Sequence, residues 1–310
     1  MLRNRDWSGA TVGLCLGLIG LLATRLGWLR FELDVFSAFT VQFLILICAS
    51  ILGITFPRYK SLAASSFFVI GLVAYGTWPM LPVRLDVAAP QGSARLRVGT
   101  YNAELGVGGE TQIIASLKQL NADVMVLTEY DASLPKLSAA LATLYPFVVS
   151  CEDTSWCDVT IASKTPITKG ARVITNGGPS TAVARMDAAY GNVLIVGVHT
   201  TRFPQAELQF QQLHTLATWL VPERGNMIVA GDFNASSQSR LLQDFTRSLD
   251  LQVASYLPTY PSWLGVPQLA IDHFFIRKEI GVLGPEAGSD AAGSDHIPVA
   301  RSFSVPLQSN

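Results

Sequence analysis

Asp232 and Asn234 follow the apolar run Met227-Ile228-Val229-Ala230, which reads as a buried strand, and Gly231 is expected to end that strand with a tight turn. Side chains alternate along extended chain, so a carboxylate and an amide two residues apart point the same way while Phe233 turns inward. Such a pair suits a phosphate and a metal-activated water. An Asx turn, common where strands end, would put the same residue types there with no chemistry attached.

Other strand ends in the chain also finish in polar residues. Val98-Gly99-Thr100-Tyr101 delivers Asn102 and then Glu104; Val124 to Thr128 delivers Glu129; Val193 to Val198 delivers His199. Ala270-Ile271 delivers Asp272-His273, and the loop Gly293-Ser294 delivers Asp295-His296. So many termini bearing acids, amides or imidazoles argue for one shared site. Alternation places His273 away from Asp272 and gives it a structural role, and His214, inside a helix, has no partner in the pattern.

These ends need elements to position them. Strands are expected at 96–101, 124–127, 159–162, 182–186, 193–198, 270–276 and 298–303, around the central 227–230. Helices are expected at 111–120, 134–144, 205–220 and 240–246, the third with Leu208, Leu213, Leu216 and Leu220 as its apolar positions. The alternation is that of an α/β domain, without internal repeats or low-complexity segments.

The motifs Tyr-Asn102-Ala-Glu104, Thr128-Glu129, Gly197-Val198-His199, Gly231-Asp232-Phe233-Asn234, Ile271-Asp272-His273 and Ser294-Asp295-His296 resemble, in order, those of the endonuclease/exonuclease/phosphatase superfamily, the DNase I-like fold. The resemblance spans essentially residues 96–305. It implies two packed β-sheets with helices on the outer faces and a divalent-metal phosphoesterase site at one end. Glu129 would then be the principal Mg²⁺ (or Mn²⁺) ligand, with Asn102, Asp295 and, more weakly, Glu104 near the ion. Asp232 would orient or deprotonate the attacking water, Asn234 and His199 would donate to phosphoryl oxygens, and His296 paired with Asp272 would stabilise charge or act as acid/base. The general base stays open between Asp232 and the His296–Asp272 pair.

The first part of the chain is of another kind. Charged residues are 15% of the sequence, against roughly 25% in ordinary domains, and the deficit sits at the front. Three runs, 10–28, 35–56 and 62–83, approach the ~20 apolar residues that cross a hydrocarbon core, so residues 1–83 read as a three-helix membrane anchor and 84–95 as a linker. A signal peptide is the competing reading for the first run, which follows Arg3 and Arg5. Trp7, Trp28, Tyr59 and Trp78 fit interfacial belts, and Arg3, Arg5, Arg58 and Lys60 put the catalytic domain on the non-cytoplasmic side. The anchored bacterial members of the superfamily share this layout.

Seven of the 22 Lys and Arg but only four of the 23 Asp and Glu precede Ala94, so the domain is acidic and advertises no nucleic-acid clamp. Cys15 and Cys48 fall in the apolar runs, whereas Cys151 and Cys157 are spaced to close a small disulfide loop in an oxidising compartment. The expected activity is membrane-anchored, metal-dependent phosphoester hydrolysis, nucleic acid among the substrates considered. The alternatives are a phospholipid or lipid-linked phosphate hydrolase and a non-catalytic scaffold. The partners expected are the bilayer and a phosphate ester; no protein partner is evident.

Overall fold

The computed structural model describes residues 5–55, 85–86, 90–150, 158–173, 177–265 and 268–307. The proposed third apolar helix at 62–83, the residues Arg3, Arg58, Lys60, Tyr59 and Trp78, and the Cys151–Cys157 pair lie outside them.

Two apolar helices, α1 (Arg5–Ala23) and α2 (Thr40–Thr55), form an antiparallel hairpin. Gly13, Gly17 and Gly20 line α1 where α2 crosses it: a Cβ at Gly17 would meet Ile47 Cγ1 at 2.6 Å, and one at Gly20 the Phe43 ring at 2.3 Å. Small residues in such a stripe let two apolar helices approach closely. Leu44, Ile47 and Ile51 are buried in the hairpin, while Val12, Leu16, Ile19 and Leu22 of α1 and Ile45 and Leu52 of α2 face outward.

The second predicted helix does not begin at Val35. Phe31–Phe39 is instead a 3₁₀ segment that folds back on the catalytic domain, and α2 starts at Thr40. The cause is Asp34, whose carboxylate is buried at the start of a helix 205 residues later: it accepts from Ser239 Oγ and from the Arg240 backbone N–H at 3.0 Å. Phe31 stacks on Phe210 with ring centroids 4.4 Å apart, and the Arg240 guanidinium lies over the rings of Trp28 and Phe31.

The rest is two mixed sheets packed face to face. The first holds β1 (Leu85–Asp86), β2 (Ser93–Asn102), β3 (Val124–Thr128), β4 (Phe147–Ser150), β5 (Thr160–Ser163), β12 (Gly281–Gly288) and β13 (Val299–Pro306), in the order β1-β12-β13-β2-β3-β5-β4. The second holds β6 (Ile167–Val173), β7 (Ser180–Met186), β8 (Leu194–His199), β9 (Met227–Asp232), β10 (Leu251–Val253) and β11 (Asp272–Arg277), in the order β10-β11-β9-β8-β7-β6. The sheet thus begins inside the stretch expected to be a linker: Leu85–Asp86 pairs with β12, and β2 starts at Ser93.

Alternation sorts the core. Leu96, Val98, Val124, Val126, Ile195, Ile228, Ala230 and Phe274 meet between the sheets. Val196, Val198, Met227, Val229 and Phe275 point the other way, under α5 (Ala206–Leu220) and α6 (Arg240–Ser248). Met125 and Leu127 likewise lie under α3 (Glu110–Leu120) and α4 (Pro135–Leu144). The buried face of α5 runs through Gln209 and Leu213, whereas Leu208, expected on it, is exposed.

Candidate active site

The parity that buries Ile228 and Ala230 between the sheets carries on to Asp232, and the same argument holds in the neighbouring strands. Asn102 follows Val98 and Thr100, His199 follows Ile195 and Gly197, and Asp272 precedes Phe274. Register then sets them side by side: Asp232 pairs with His199 across the parallel β8–β9 ladder and with Asp272 across β9–β11, and Asn102 ends β2 opposite Thr128. Three polar side chains from one sheet and one from the other therefore share one end of the sandwich.

Gly231 does not end the strand; β9 continues through Asp232. Its φ of +142° and its approach to β8, where a Cβ would sit 1.9 Å from the Val198 carbonyl oxygen, are what require glycine. The turn comes two residues later, at Asn234, with φ +48°. Asp232 Oδ1 accepts the Asn234 backbone N–H at 2.8 Å, an Asx turn, and Phe233 is buried under the helices. The Asx turn and the convergence on the site thus coexist. Gln209 of α5 holds the Phe233 carbonyl at 2.8 Å, so the helix fixes this loop from behind.

Glu129 escapes its strand's alternation by a left-handed backbone, φ +48°, which turns its carboxylate from the helix side toward Asn102. Asn102 Nδ2 donates to Glu129 Oε1 and Asp232 Oδ2, both at 3.0 Å, and so bridges the ends of the two sheets. Its Oδ1 accepts the Glu104 backbone N–H at 3.0 Å; Glu104 Oε2 in turn accepts the Asp295 backbone N–H at 2.9 Å. Ser294 Oγ donates to the Asn102 carbonyl and accepts from the His296 N–H, tying the last loop to β2.

Two carboxylate–imidazole pairs flank Asp232. His296 Nδ1–H donates to Asp272 Oδ2 at 2.7 Å, which leaves Nε2 3.7 Å from Asp232 Oδ2 and 3.8 Å from Asp295 Oδ1. His199 Nδ1–H donates to Asp158 Oδ2 at 2.8 Å, which leaves Nε2 3.8 Å from Asp232 Oδ2 and 3.7 Å from Glu129 Oε1. Each imidazole is oriented by one acid and aims its other nitrogen at the same oxygen. Asp158 is the member that sequence reasoning missed.

Burial opposes charge on both imidazoles, and the acids around them outweigh it. Hydrogen bonding to Asp158 with the charges of Asp232 and Glu129 carries His199 up to about 9, and Asp272 with Asp232 carries His296 up to about 10. The acids around them thus favour the charged form of both imidazoles. Burial also pushes the Asp232 and Asp295 carboxyls up from the ordinary range, against the pull of these imidazoliums. His273 points to the helix side as alternation requires, bonded to Ser255 and the Ala235 carbonyl, and burial drives it down to about 4.

The donor set fits a hard divalent cation. Glu104, Glu129, Asp232 and Asp295 all line one cavity with His296, so carboxylates outnumber the imidazole there, and all four are oxygen donors with no thiol among the described lining residues. Asp232, Asp272 and His296 also offer ligand atoms within 4.8 Å of one another. In that trio, however, Nδ1 of His296 is already engaged by Asp272, so the oxygen-rich side around Glu129 is the better cation site.

The family model for the Endonuclease/Exonuclease/phosphatase family matches residues 99–296. The chain belongs to this family. Among solved structures it is similar in fold to humanized D. rerio TDP2, at 14% identity and a TM-score of 0.55, over 67% of this chain and 98% of that one. It is also similar to an endonuclease/exonuclease/phosphatase from Beutenbergia cavernae, at 20% identity and a TM-score of 0.53, over 68% and 72%. A third is a Staphylococcus aureus beta toxin mutant with bound magnesium ions, at 16% identity and a TM-score of 0.51, over 67% and 99%. Among curated proteins no sequence matches this chain. Endonuclease/exonuclease/phosphatase proteins are hydrolases of phosphoester bonds, and the two sheets with outer helices seen here are their fold.

Proposed function

We propose that this chain is a membrane-anchored, divalent-metal-dependent phosphoesterase in which Asp232 serves the attacking water. The observation that carries the reading is the convergence of two acid-oriented imidazoliums on Asp232 Oδ2 beside an excess of carboxylates.

Glu129 and Asp295, with Glu104 next to them and Asn102 holding Glu129 in place, would hold Mg²⁺ or Mn²⁺. When bound, the ion supplies positive charge to a phosphoryl oxygen and to the leaving oxygen. The remaining work belongs to side chains. With Oδ1 tied to Asn234, Asp232 has Oδ2 to take a proton from water as its oxygen bonds to phosphorus and the ester oxygen departs in line. His199 and His296, each held at Nδ1 by an acid that favours its charged form, are suited to donate from Nε2, which favours Asp232 as the base. Their Nε2–H groups, beside Asp232 Oδ2, would stabilise the extra charge on phosphorus, whereas the Asn234 amide donates to the Thr200 carbonyl at 3.0 Å and to Asp232 Oδ2 at 3.4 Å and would have to leave them to reach a phosphoryl oxygen. An intact site of this kind also argues against a purely structural scaffold.

The anchor reading is supported by the outward apolar faces of both helices, far more than a water-exposed hairpin tolerates. A cleaved signal sequence over 10–28 fits poorly with the packing of Gly13, Gly17 and Gly20 against α2 and with the Gly27 and Trp28 carbonyls, which accept from Arg240. The hairpin turn lies at that domain, and Thr55 is ~24 Å away along the 16-residue α2. If α1 and α2 both cross, an odd number of crossings must precede Ser93, as three spans provide, and positive-inside residues put the domain outside the cytoplasm.

The test uses the full chain in lipid nanodiscs with bis(4-nitrophenyl) phosphate, titrated with Mg²⁺ and Mn²⁺ and then chelated. Hydrolysis should need the ion. Glu129→Gln should raise the metal concentration for half-maximal rate and recover partly at excess metal, and equal hydrolysis in chelator would sink the proposal.

A further inference from the structure

The site lies in a cavity of about 500 Å³, within the range of small-molecule sites. One wall is the carboxylate and imidazole cluster. Another comes from outside the catalytic fold: Phe31, Val35, Ala38 and Phe39 of the 3₁₀ segment face Phe203 and Leu269. We propose that this segment is the apolar half of the substrate site, and that the substrate is an amphiphile, a phosphoester carrying a hydrocarbon chain supplied by the bilayer.

The inference rests on the phosphoesterase reading above and deepens it. The wall is held in place, since Asp34 is fastened to Ser239 and Arg240, and Phe31 to Phe210. It is continuous with the hairpin: Phe39 is followed directly by Thr40, the first residue of α2, so the cavity opens at the level where that helix would enter the membrane. Gln42 Nε2 donates to the Gln268 carbonyl at 3.0 Å, joining the first turn of α2 to the loop on the far side of the mouth.

The rim agrees with this placement. Loops that leave the strand ends expose Leu105 (58%), Phe203 (55%) and Trp263 (72%), large apolar side chains on the same end as the site. Such residues suit the boundary between headgroups and hydrocarbon, where tryptophan in particular settles. Nucleic acid fits less well. Among the described lining residues Arg202 is the one Lys or Arg, which offers no track for a run of phosphates.

The experiment compares two esters with the same leaving group, methyl and dodecyl 4-nitrophenyl phosphate, on the full chain in nanodiscs with saturating Mg²⁺. Each buried methylene favours binding about fourfold, so four of them should raise kcat/KM about 200-fold for the dodecyl ester. Ala38→Trp fills the apolar half and should cut the dodecyl-to-methyl ratio at least tenfold. Val35→Asn carries the same expectation should Ala38→Trp lose activity on both esters. A ratio near one in the wild type overturns the lipid inference while the phosphoesterase reading stands. So does a large ratio unchanged in both variants, because the preference then comes from partition into the disc. Faster cleavage of a twelve-residue oligothymidylate than of the dodecyl ester also overturns it, and hydrolysis of none of the three removes both readings.

Discussion

Replacing Asp232 with Asn separates chemistry from architecture at the centre of the site. In the wild type one carboxylate oxygen accepts the Asn234 N–H at 2.8 Å and the other accepts Asn102 Nδ2 at 3.0 Å. An amide keeps the first bond but turns an NH₂ toward the Asn102 NH₂, and the lost bond costs about 1–3 kcal/mol. Removing a buried charge offsets part of that, so the melting temperature should move by only a few degrees, at about 2–4 °C per kcal/mol for a domain of this size. The rate has no such compensation. Asp232 is proposed to accept the proton of the attacking water, a role worth about 10²–10⁴-fold, or roughly 3–5 kcal/mol of activation free energy. Turnover of bis(4-nitrophenyl) phosphate at saturating Mg²⁺ should fall by that factor, with KM changing far less. Its charge also raises both imidazoles, so the His199 and His296 titrations should move to lower pH in the variant. Turnover within tenfold of wild type, with melting intact, would refute Asp232 as the base.

Three further expectations follow from the same geometry. Asp158→Asn can keep the hydrogen bond to His199 Nδ1–H but removes the negative charge that helps carry His199 to about 9, so its NMR titration should fall toward the ordinary value. Because activity needs the imidazolium and is lost as pH rises through its pKa, the basic limb of the rate profile should move to lower pH. His273, at about 4 when folded and 6.5 when unfolded, favours the folded state above pH 6.5 and costs stability as pH falls from 6.5 to 4. That loss is on the order of 3 kcal/mol, and His273→Asn should flatten the corresponding decline in thermal melts between pH 7 and 4.5. Asp34→Ala strips two hydrogen bonds from a buried carboxylate, each worth about 1.5–3 kcal/mol, so melting of the nanodisc-held protein should drop by roughly 6–24 °C.

Most of the candidate site was legible because it obeys alternation. Asp232, His199, Asp272 and Asn102 sit where period two puts them, and the same rule assigned His273 to the core. Asp158 was not legible, since it precedes β5 by two residues with no motif of its own and meets His199 only through the packing of the two sheets. Gly231 was read as a strand end because glycine usually marks one; its purpose here is close approach to β8. The strands not foreseen, β1, β4, β6, β10 and β12, include a half-exposed edge at Phe147–Ser150 and a bulge between Leu283 and Ala287, and neither gives a clean apolar pattern. Residues 35–39 of the segment Phe31–Phe39 looked like the start of a membrane span because they continue, without a charge, into the apolar run that follows. Its distant partners, Ser239 and Arg240 on Asp34 and Phe210 on Phe31, distinguish it.

The buried Asp34 contact also fixes an order of assembly. A ribosome adding about 5–20 residues per second needs on the order of 10–40 s to go from Asp34 to Ser239. Through that interval the hairpin exists without its lock, and the Asp34 carboxylate must stay in water, because no protein group yet compensates its burial. The wall of the cavity is therefore made early and fastened only after α6 has been made. It can close only once α6 has formed, and Asp272, Asp295 and His296 of the site are synthesised later still.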